Sequence, residues 1–398
     1  MVFIKEPVII DTDPGIDDAL AIIFAFLTPE IDVKALTLTH GNVGLDAVTK
    51  NAVTLLHAVH EQRKHLGEPS STLPVLAIGQ SKPLSIDLVD ATYFHGKDGF
   101  GEIYDELHPA PDNWEAFLDS ENSDLKETTW FTASPRDAAD EILHQLAHAP
   151  PLTVTICAIG PLTNIALAIQ RDPVTASRAK RIVIMGGAVH VPGNTTPYGE
   201  FNFRADPHAA DIVMQTTQGF QHSTQGYERR LALLKENKQA PQHVVLVPLD
   251  GSNDGTISKA DYDNYIVPLG KSTPLHGFIN AFMRWSFHIC AAHYNLDNWA
   301  VFDAYAMFVL LEMIKDKGDG KNNEDFDKHW KYEYLDMAVE TEGRYTLGQC
   351  CIDRRSWRKN QVPWHQQANA VQVITDGDGK RFRKALLATI FNAKFVNE

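Results

Sequence analysis

Short apolar runs alternate with longer segments of helical periodicity along most of this chain. Six of these runs are rich in valine, isoleucine and other strand-forming residues, and they occupy residues 8–11, 33–39, 73–79, 152–160, 181–187 and 243–250. Runs without an alternating polar face are typical of strands that are covered on both sides. The alternation therefore predicts an α/β protein with a mainly parallel, Rossmann-like sheet and helices on both of its faces.

Polar residues gather where these predicted strands end. Asp11 and Asp13 close the first run, and His40 with Asn42 closes the second. The sequences GPLTN and MGGAVHVPGN overlap the ends of the fourth and fifth runs. Because small ligands bind at the carboxyl ends of strands in open parallel sheets, we expect these residues to share one site.

Three segments interrupt the pattern and are interpreted as insertions or long loops in a single domain of residues 1–398. They lie near residues 102–136, 219–242 and 315–328. The last contains DKGDGKNNED, whose acidic residues and glycines do not have the offsets of an EF-hand calcium loop. We interpret that segment as a surface loop.

Composition narrows the class of protein. The 398 residues include 36 lysines and arginines against 51 aspartates and glutamates, a net charge of −15, which argues against a nucleic-acid partner. No apolar stretch approaches the roughly 18 residues of a membrane-spanning helix, and no signal peptide is recognised, so we expect a cytoplasmic protein with no membrane partner. The four cysteines, Cys157, Cys290, Cys350 and Cys351, are interpreted as reduced structural thiols.

The sequence DTDPGIDDA carries the strongest chemical signal. Within eight residues at a predicted strand-to-helix junction it places four carboxylates, those of Asp11, Asp13, Asp17 and Asp18. Like charges so close repel one another unless a cation offsets them, and a helix N-terminus offsets only part of that charge. We therefore expect a hard divalent cation with oxygen ligands. Such a cation can activate water while a carboxylate takes the proton, which is the chemistry of a hydrolase or a phosphotransferase.

This cluster resembles the N-terminal signature of the inosine-uridine-preferring nucleoside hydrolase family. Further motifs follow in the order of that family: THGN at 39–42, FHGKDGFG at 94–101, GPLTNIALA at 160–168, GNTTPYGEFNFRADPHAA at 193–210, PLD at 248–250 and ANAVQVITDGDGKRF at 368–382. Each motif is short, but the ordered set is specific and extends over nearly the whole chain. The resemblance implies the nucleoside hydrolase fold and calcium-dependent hydrolysis of ribonucleosides to ribose and a free base, in nucleoside catabolism or purine salvage.

The resemblance also implies roles for the residues that match these motifs. Calcium would be bound by Asp13, Asp18, Asp303 and the backbone carbonyl of Ile159. Asp13 would also be the general base for the metal-bound water, and Asp11 would orient the other aspartates. The substrate would be contacted by Asp17, Asn42, His95, Asn194, Glu200, Asn202 and Asp303. Members of the family are commonly dimers or tetramers, so we expect a homo-oligomer that binds a small nucleoside.

At one position the chain departs from the family pattern. Many members carry a histidine immediately before the late aspartate, where it can protonate the departing base, and here that residue is Phe302. An aromatic residue at this place resembles the purine-preferring branch of the family, so we expect a preference for purines that stack on Phe302 or Trp299. His288 and His293 are alternative activating groups, and core packing is an alternative role for Phe302.

Three alternatives stay open at this point. A haloacid-dehalogenase-like phosphotransferase also has a DxD sequence after its first strand, and TDGDGK at 375–380 resembles its later acidic motif, but it would leave Asp17, Asp18 and the segment 194–202 without a role. A nucleoside- or ribose-binding protein on the same scaffold would lack turnover because leaving-group activation is lost. A pyrimidine-preferring or non-specific nucleoside hydrolase would differ only in the choice of base.

Overall fold

The computed structural model describes residues 5–67, 73–104, 110–119, 130–316, 324–355 and 369–395. Its strands, numbered along the chain, are β1 Glu6–Thr12, β2 Ile31–Leu38, β3 Val75–Ile78, β4 Thr132–Ala133, β5 Thr155–Ala158, β6 Arg181–Met185, β7 Val244–Val247, β8 Thr256–Ser258, β9 Asn298–Ala300, β10 Lys331–Leu335, β11 Met337–Val339, β12 Cys350–Ile352 and β13 Val371–Asp376.

Nine of these strands form one sheet in the order β10-β13-β7-β6-β5-β1-β2-β3-β4. Every neighbouring pair in it is parallel except β10 and β13, which are antiparallel at one edge. The remaining strands pair as two short antiparallel ribbons, β8 with β9 and β11 with β12. All six predicted strands are present, and the predicted mainly parallel sheet is confirmed.

Helices connect the strands and cover the sheet. They are α1 Ile16–Leu27, α2 Leu45–Leu66, α3 Thr92–His95, α4 Ala138–His148, α5 Thr163–Arg171, α6 Pro173–Ala176, α7 Phe201–Ala205, α8 Pro207–Gln215, α9 Thr224–Lys235, α10 Leu249–Ser252, α11 Lys259–Asp261, α12 Pro274–Tyr294, α13 Phe302–Lys315, α14 Glu324–His329 and α15 Gly379–Phe391. Short 3-10 segments lie at Trp114–Leu118 and Val267–Leu269, and a π turn lies at Tyr262–Ile266.

Strand β6 shows why the central strands are continuous apolar runs in the sequence. All five of its residues are buried. Ile182 and Ile184 belong to the core on the side of α5 and α8, while Val183 and Met185 belong to the core on the side of α1 and α13. Successive side chains of a strand point to opposite faces, so both faces need apolar residues when helices cover both.

The predicted insertions are only partly loops. Half of segment 219–242 is helix, because it contains α9, whose N-cap residue is Ser223. Segment 102–136 supplies the edge strand β4, and DKGDGKNNED falls largely outside the described residues. The four cysteines are free thiols, as expected. Within the described residues no helix combines the length and the apolar character that crossing a membrane requires.

Candidate active site

A cavity of about 370 Å³ opens at the carboxyl edge of the sheet, where the chain leaves β1, β2, β5 and β6. Ten of the residues predicted from the sequence line it: Asp17, Asn42, His95, Ile159, Asn194, Glu200, Asn202, Trp299, Phe302 and Asp303. Two more, Asp13 and Asp18, have fully buried side chains and do not form part of its surface. The parallel topology thus gathers residues from across the sequence at one sheet edge, as expected.

Asp18 lies in the first turn of α1, and its carboxylate organises the turn before that helix. Oδ1 accepts hydrogen bonds from the hydroxyl of Thr12 at 2.5 Å and the backbone N–H of Asp13 at 3.3 Å. Oδ2 accepts from the backbone N–H of Gly15 at 3.0 Å and the side-chain amide of Asn42 at 2.8 Å. Asp18 is therefore both the N3 residue whose carboxylate binds the N-cap backbone of α1 and a fixed member of the acidic group.

Asp13 is enclosed by two glycines. A Cβ atom at Gly41 would lie 1.9 Å from its Oδ2, and one at Gly160 would lie 2.4 Å from its Oδ1. Only residues without a side chain allow the loops after β2 and β5 to approach so closely. Oδ2 accepts a 2.7 Å hydrogen bond from the backbone N–H of Asn42, whereas Oδ1 is buried without a hydrogen-bond partner.

Asp303 brings a carboxylate from the other end of the chain. It lies in the first turn of α13, which packs beside α1, and it is 3% exposed. Oxygens of Asp17, Asp18 and Asp303 all lie within 4.8 Å of one another. This trio differs from the predicted ligand trio by having Asp17 in place of Asp13, because Asp17 shares the first turn of α1 with Asp18.

The electrostatics of this group call for a counterion. Burial, followed by the neighbouring carboxylates, raises the pKa of Asp13 and that of Asp303 well above the usual range. The same causes raise the pKa of Asp17 to about 7, and burial raises that of Asp18. No lysine or arginine among the described residues forms an ion pair with any of the four. The N-termini of α1 and α13 supply only partial positive charge.

The residues present fit a hard divalent cation. They offer several carboxylate oxygens at one place, a buried carboxylate oxygen of Asp13 without a partner, and the carbonyl of Ile159 at the cavity wall. Oxygen donors of this kind, with no sulfur or imidazole among them, are the ligands that calcium and magnesium prefer.

Asp11 does not orient the other aspartates directly, contrary to our expectation. Its Oδ1 accepts from the hydroxyl of Thr37 at 2.6 Å and from the side-chain amide of Asn164 at 2.9 Å. It is fully buried, and burial raises its pKa to about 7. Its contacts tie β1 to β2 and to α5.

A second buried network lies around Asp206. Its Oδ2 accepts from the hydroxyl of Thr163 at 2.6 Å and from the backbone N–H of Leu84 at 3.0 Å, and its Oδ1 accepts from the backbone N–H of Ala209 at 3.1 Å. The hydroxyl of Thr163 also contacts Nε2 of His40 at 3.1 Å. Three distant parts of the chain are joined through this one carboxylate.

One wall of the cavity carries polar side chains that the backbone holds in place. Glu200 accepts from the backbone N–H groups of Gly187, Asn202 and Phe203 at 2.8, 2.9 and 3.1 Å. The side-chain amide of Asn202 donates to the carbonyls of Ile159 at 3.3 Å and Met185 at 3.2 Å. Oδ1 of Asn194 accepts from the backbone N–H of Phe201 at 3.0 Å. Groups fixed in this way need little reordering to meet a ligand.

His95 is neutral and holds a defined tautomer. Its Nδ1 accepts a 3.1 Å hydrogen bond from the backbone N–H of Ile16, so the ring proton is on Nε2. Burial lowers the pKa of His95 to about 3. It is the one histidine among the described residues that line the cavity.

A second part of the lining, here called the aromatic wall, carries aromatic side chains. Phe302 and Trp299 line it as predicted, and His288 and His293 do not line the cavity. Sequence reasoning assigned no role to Tyr93 and Phe94, although they directly precede His95 along the chain. Two further lining residues, Tyr294 and Leu296, lie at the C-terminal end of α12 and just beyond it.

The fold and this site together define an α/β protein with an acidic small-molecule pocket at the carboxyl edge of a parallel sheet. The chain belongs to the inosine-uridine preferring nucleoside hydrolase family, whose sequence model matches residues 8–384.

Individual relatives agree with this placement. Uridine nucleosidase 1 of Arabidopsis thaliana is 41% identical over 52% of this chain, a match that spans only about half (53%) of that relative's length. A non-specific ribonucleoside hydrolase of Salmonella newport is 31% identical over 94% of each chain. The solved structure of a plant nucleoside hydrolase has the same fold, with a TM-score of 0.73, 24% identity, and coverage of 98% of this chain and 100% of that one. The predicted family, fold class and enzyme class are confirmed.

Proposed function

We propose that this protein hydrolyses the N-glycosidic bond of ribonucleosides, releasing ribose and a free base, and that it prefers purine nucleosides. One observation carries the proposal. A group of buried carboxylates adjoins a cavity of about 370 Å³ whose lining contains both polar and aromatic side chains. That volume falls within the roughly 300–1,000 Å³ of small-molecule sites, and the two walls match the two halves of a nucleoside.

Calcium is the proposed cofactor. The residues that would hold it are Asp13, Asp17, Asp18, Asp303 and Ile159, the last through its carbonyl. When bound, such an ion lowers the pKa of a neighbouring water molecule and so supplies a nucleophile near neutral pH.

Asp13 is the proposed general base. Its Oδ2 is held by the backbone N–H of Asn42, which fixes the orientation of the carboxylate, while Oδ1 has no hydrogen-bond partner and can take a proton. A general base must lie within hydrogen-bond distance of the proton that it removes, whatever its pKa. The close approach of Gly41 and Gly160 holds the Asp13 carboxylate in one place.

The polar wall is the proposed ribose site. Cleavage of a glycosidic bond develops positive charge on the sugar ring, so hydroxyl contacts that strengthen with that charge lower the barrier. Asn194, Glu200 and Asn202 would bind the hydroxyl groups, together with Asp17. The contacts of Glu200 and Asn202 with backbone groups favour this role, because they fix the side chains before the substrate arrives.

The aromatic wall is the proposed base site. Phe302 adjoins Asp303 in sequence and lines the cavity, so a base placed over the acidic group would meet its ring. Stacking gains contact area with the size of the base, which favours purines. Relatives named as a uridine nucleosidase and a non-specific ribonucleoside hydrolase make a broader preference the alternative.

A substrate panel tests the proposal. Ribose release is measured from inosine, adenosine, guanosine, uridine and cytidine, with calcium and after treatment with a chelator. We expect the highest kcat/KM for a purine nucleoside and loss of turnover on chelation that added calcium restores. Equal turnover of all five nucleosides would contradict a purine preference and indicate a broad substrate range. Binding of nucleosides without release of ribose would indicate a nucleoside-binding protein. The cytoplasmic location and a dimeric or tetrameric state stay predictions.

A further inference from the structure

A second cavity, of about 340 Å³, lies at the opposite edge of the sheet from the candidate active site. Arg181, the first residue of β6, lines it, and His243, immediately before β7, lines it as well. Met185, the last residue of β6, lines the first cavity. One buried strand therefore separates two pockets of similar volume, of which only the first has a proposed role.

The wall of this cavity is basic although the protein is acidic overall. Lys180, Arg181 and Arg230 line it, and Asp316 is the one carboxylate in the lining among the described residues. Lys180 and Arg181 share a single carboxylate, that of Glu6, at 2.5 and 2.9 Å. Because one carboxylate neutralises only one of these two cations, the wall keeps a net positive charge.

Arg230 adds a third cation, which no carboxylate neutralises within the described part of the chain. Its side chain is 4% exposed, and its guanidinium donates to the carbonyls of Ala179 at 2.8 Å and Lys180 at 3.0 Å. Its Nε is buried without a hydrogen-bond partner. Burying a guanidinium without a counterion is costly, and an anionic ligand would reduce that cost.

Flat aromatic side chains also line the cavity. Phe220 stacks on His243 with ring centroids 4.6 Å apart and planes 17° apart. His222 and Tyr227 also line the cavity, and Tyr227 is 45% exposed. Because α9 begins here, at Thr224, its N-terminus adds partial positive charge on the same side.

We propose that this cavity binds a nucleoside monophosphate, with the phosphate against Lys180, Arg181 and Arg230 and the base against Phe220 and Tyr227. Cations and aromatic faces side by side match a ligand that combines a dianion with a planar ring. The volume of about 340 Å³ falls within the range of roughly 300–1,000 Å³ of small-molecule sites. The proposal is independent of the reaction in the first cavity.

Calorimetric titration of the full chain with adenosine 5′-monophosphate tests the proposal. The variants are Lys180→Gln, which removes a cation, and Tyr227→Ala, which removes an exposed ring and leaves the ion pairs of Glu6 in place. We expect each variant to raise the Kd at least tenfold. Lys238→Gln and Tyr345→Ala are matched controls that remove an exposed cation and an exposed ring elsewhere, and they should leave the Kd unchanged. Circular dichroism checks that every variant is folded.

Three outcomes would overturn the proposal. No heat of binding would mean that the cavity does not take this ligand. Equal affinity in all variants would place binding outside this cavity. Inorganic phosphate that binds as tightly as the nucleotide would leave the aromatic wall without a role. Adenosine, which lacks the phosphate, is titrated in parallel, and we expect its binding to be unaffected by Lys180→Gln.

Discussion

The side-chain amide of Asn42 donates a 2.8 Å hydrogen bond to Oδ2 of Asp18. The same residue holds Asp13 through its backbone N–H at 2.7 Å. Asn42 therefore positions two carboxylates of the acidic group, although it was predicted as a residue that contacts the substrate.

Replacing Asn42 by alanine should weaken cation binding, because Asp18 loses a donor that orients it. We expect the cation concentration for half-maximal activity to rise by roughly 10–100-fold, with a loss of about 1–3 kcal/mol in the free energy of unfolding. Activity as a function of calcium and urea denaturation measure the two effects. Asn253→Ala, which alters another asparagine of the cavity wall, is the control. An unchanged calcium dependence would contradict the positioning role.

Asp13→Asn should abolish turnover while the fold is kept. The amide has nearly the shape of the carboxylate but cannot accept the proton, so kcat should fall by roughly 10²–10⁴-fold or more. Steady-state kinetics and circular dichroism measure activity and folding. Asp46→Asn, on the exposed start of α2, should behave as wild type. A rate near that of wild type would rule out Asp13 as the base.

The acidic group should make stability depend on calcium. Without a cation, Asp303→Asn should raise the melting temperature because it removes one of several repelling buried charges. With calcium at about 100 times its Kd, wild type should gain about 2.7 kcal/mol and the variant much less. Thermal denaturation with chelator and with calcium measures both. If calcium stabilised the two proteins equally, Asp303 would not be a ligand.

His95 should remain neutral across the working pH range. The pKa of His95 in the folded protein, about 3, lies below the ordinary value of 6.5. Above pH 6.5 the ring is therefore neutral in both the folded and the unfolded chain, and its burial does not reduce the free energy of unfolding. Below pH 6.5 the unfolded chain binds a proton that the folded chain does not, so stability falls as the pH drops towards 3. Ring-nitrogen NMR, assigned with His95→Gln, should show an Nε2–H tautomer from pH 8 to 5. A titration near pH 6.5 would refute this.

Phe302→Ala should reduce kcat/KM for purine nucleosides more than for uridine. Loss of an aromatic stacking contact worth about 0.5–1.5 kcal/mol corresponds to a few-fold to roughly tenfold change. Phe302→Leu retains apolar bulk and separates stacking from packing. An equal loss for all bases would mean that Phe302 only packs beside Asp303.

Features with a local signal could be predicted from the sequence. The buried parallel strands were predicted because a short, continuous apolar run bounded by turn residues is typical of a strand covered on both faces. The predicted strand-to-helix junction at DTDPGIDDA is present, and Asp17 and Asp18 lie in the first turn of α1. Strands β8 and β9 have three residues each, and their pairing depends on contacts between distant parts of the chain, so no periodicity marks them.

Contacts between distant segments could not be predicted in the same way. The hydrogen bonds of Asp11 with Thr37 and Asn164 depend on how β1, β2 and α5 pack, and they cannot be predicted from the carboxylate motif alone. The carboxylates that lie within 4.8 Å of one another are those of Asp17, Asp18 and Asp303, whereas Asp13 was the predicted third ligand. Which aspartate lies close to Asp303 depends on how α13 packs, and the sequence does not show this.

The hydrogen bonds of Asp206 have a consequence for how substrate choice can change. Because this buried carboxylate joins the chain at Leu84, Thr163 and Ala209, these segments cannot shift relative to one another without breaking several hydrogen bonds at once. The exposed side chains at the mouth, Tyr93, Tyr294 and Leu296, bear no such constraint. Evolution or engineering can therefore retune which nucleoside is accepted at the mouth, at little cost to the architecture that supports it.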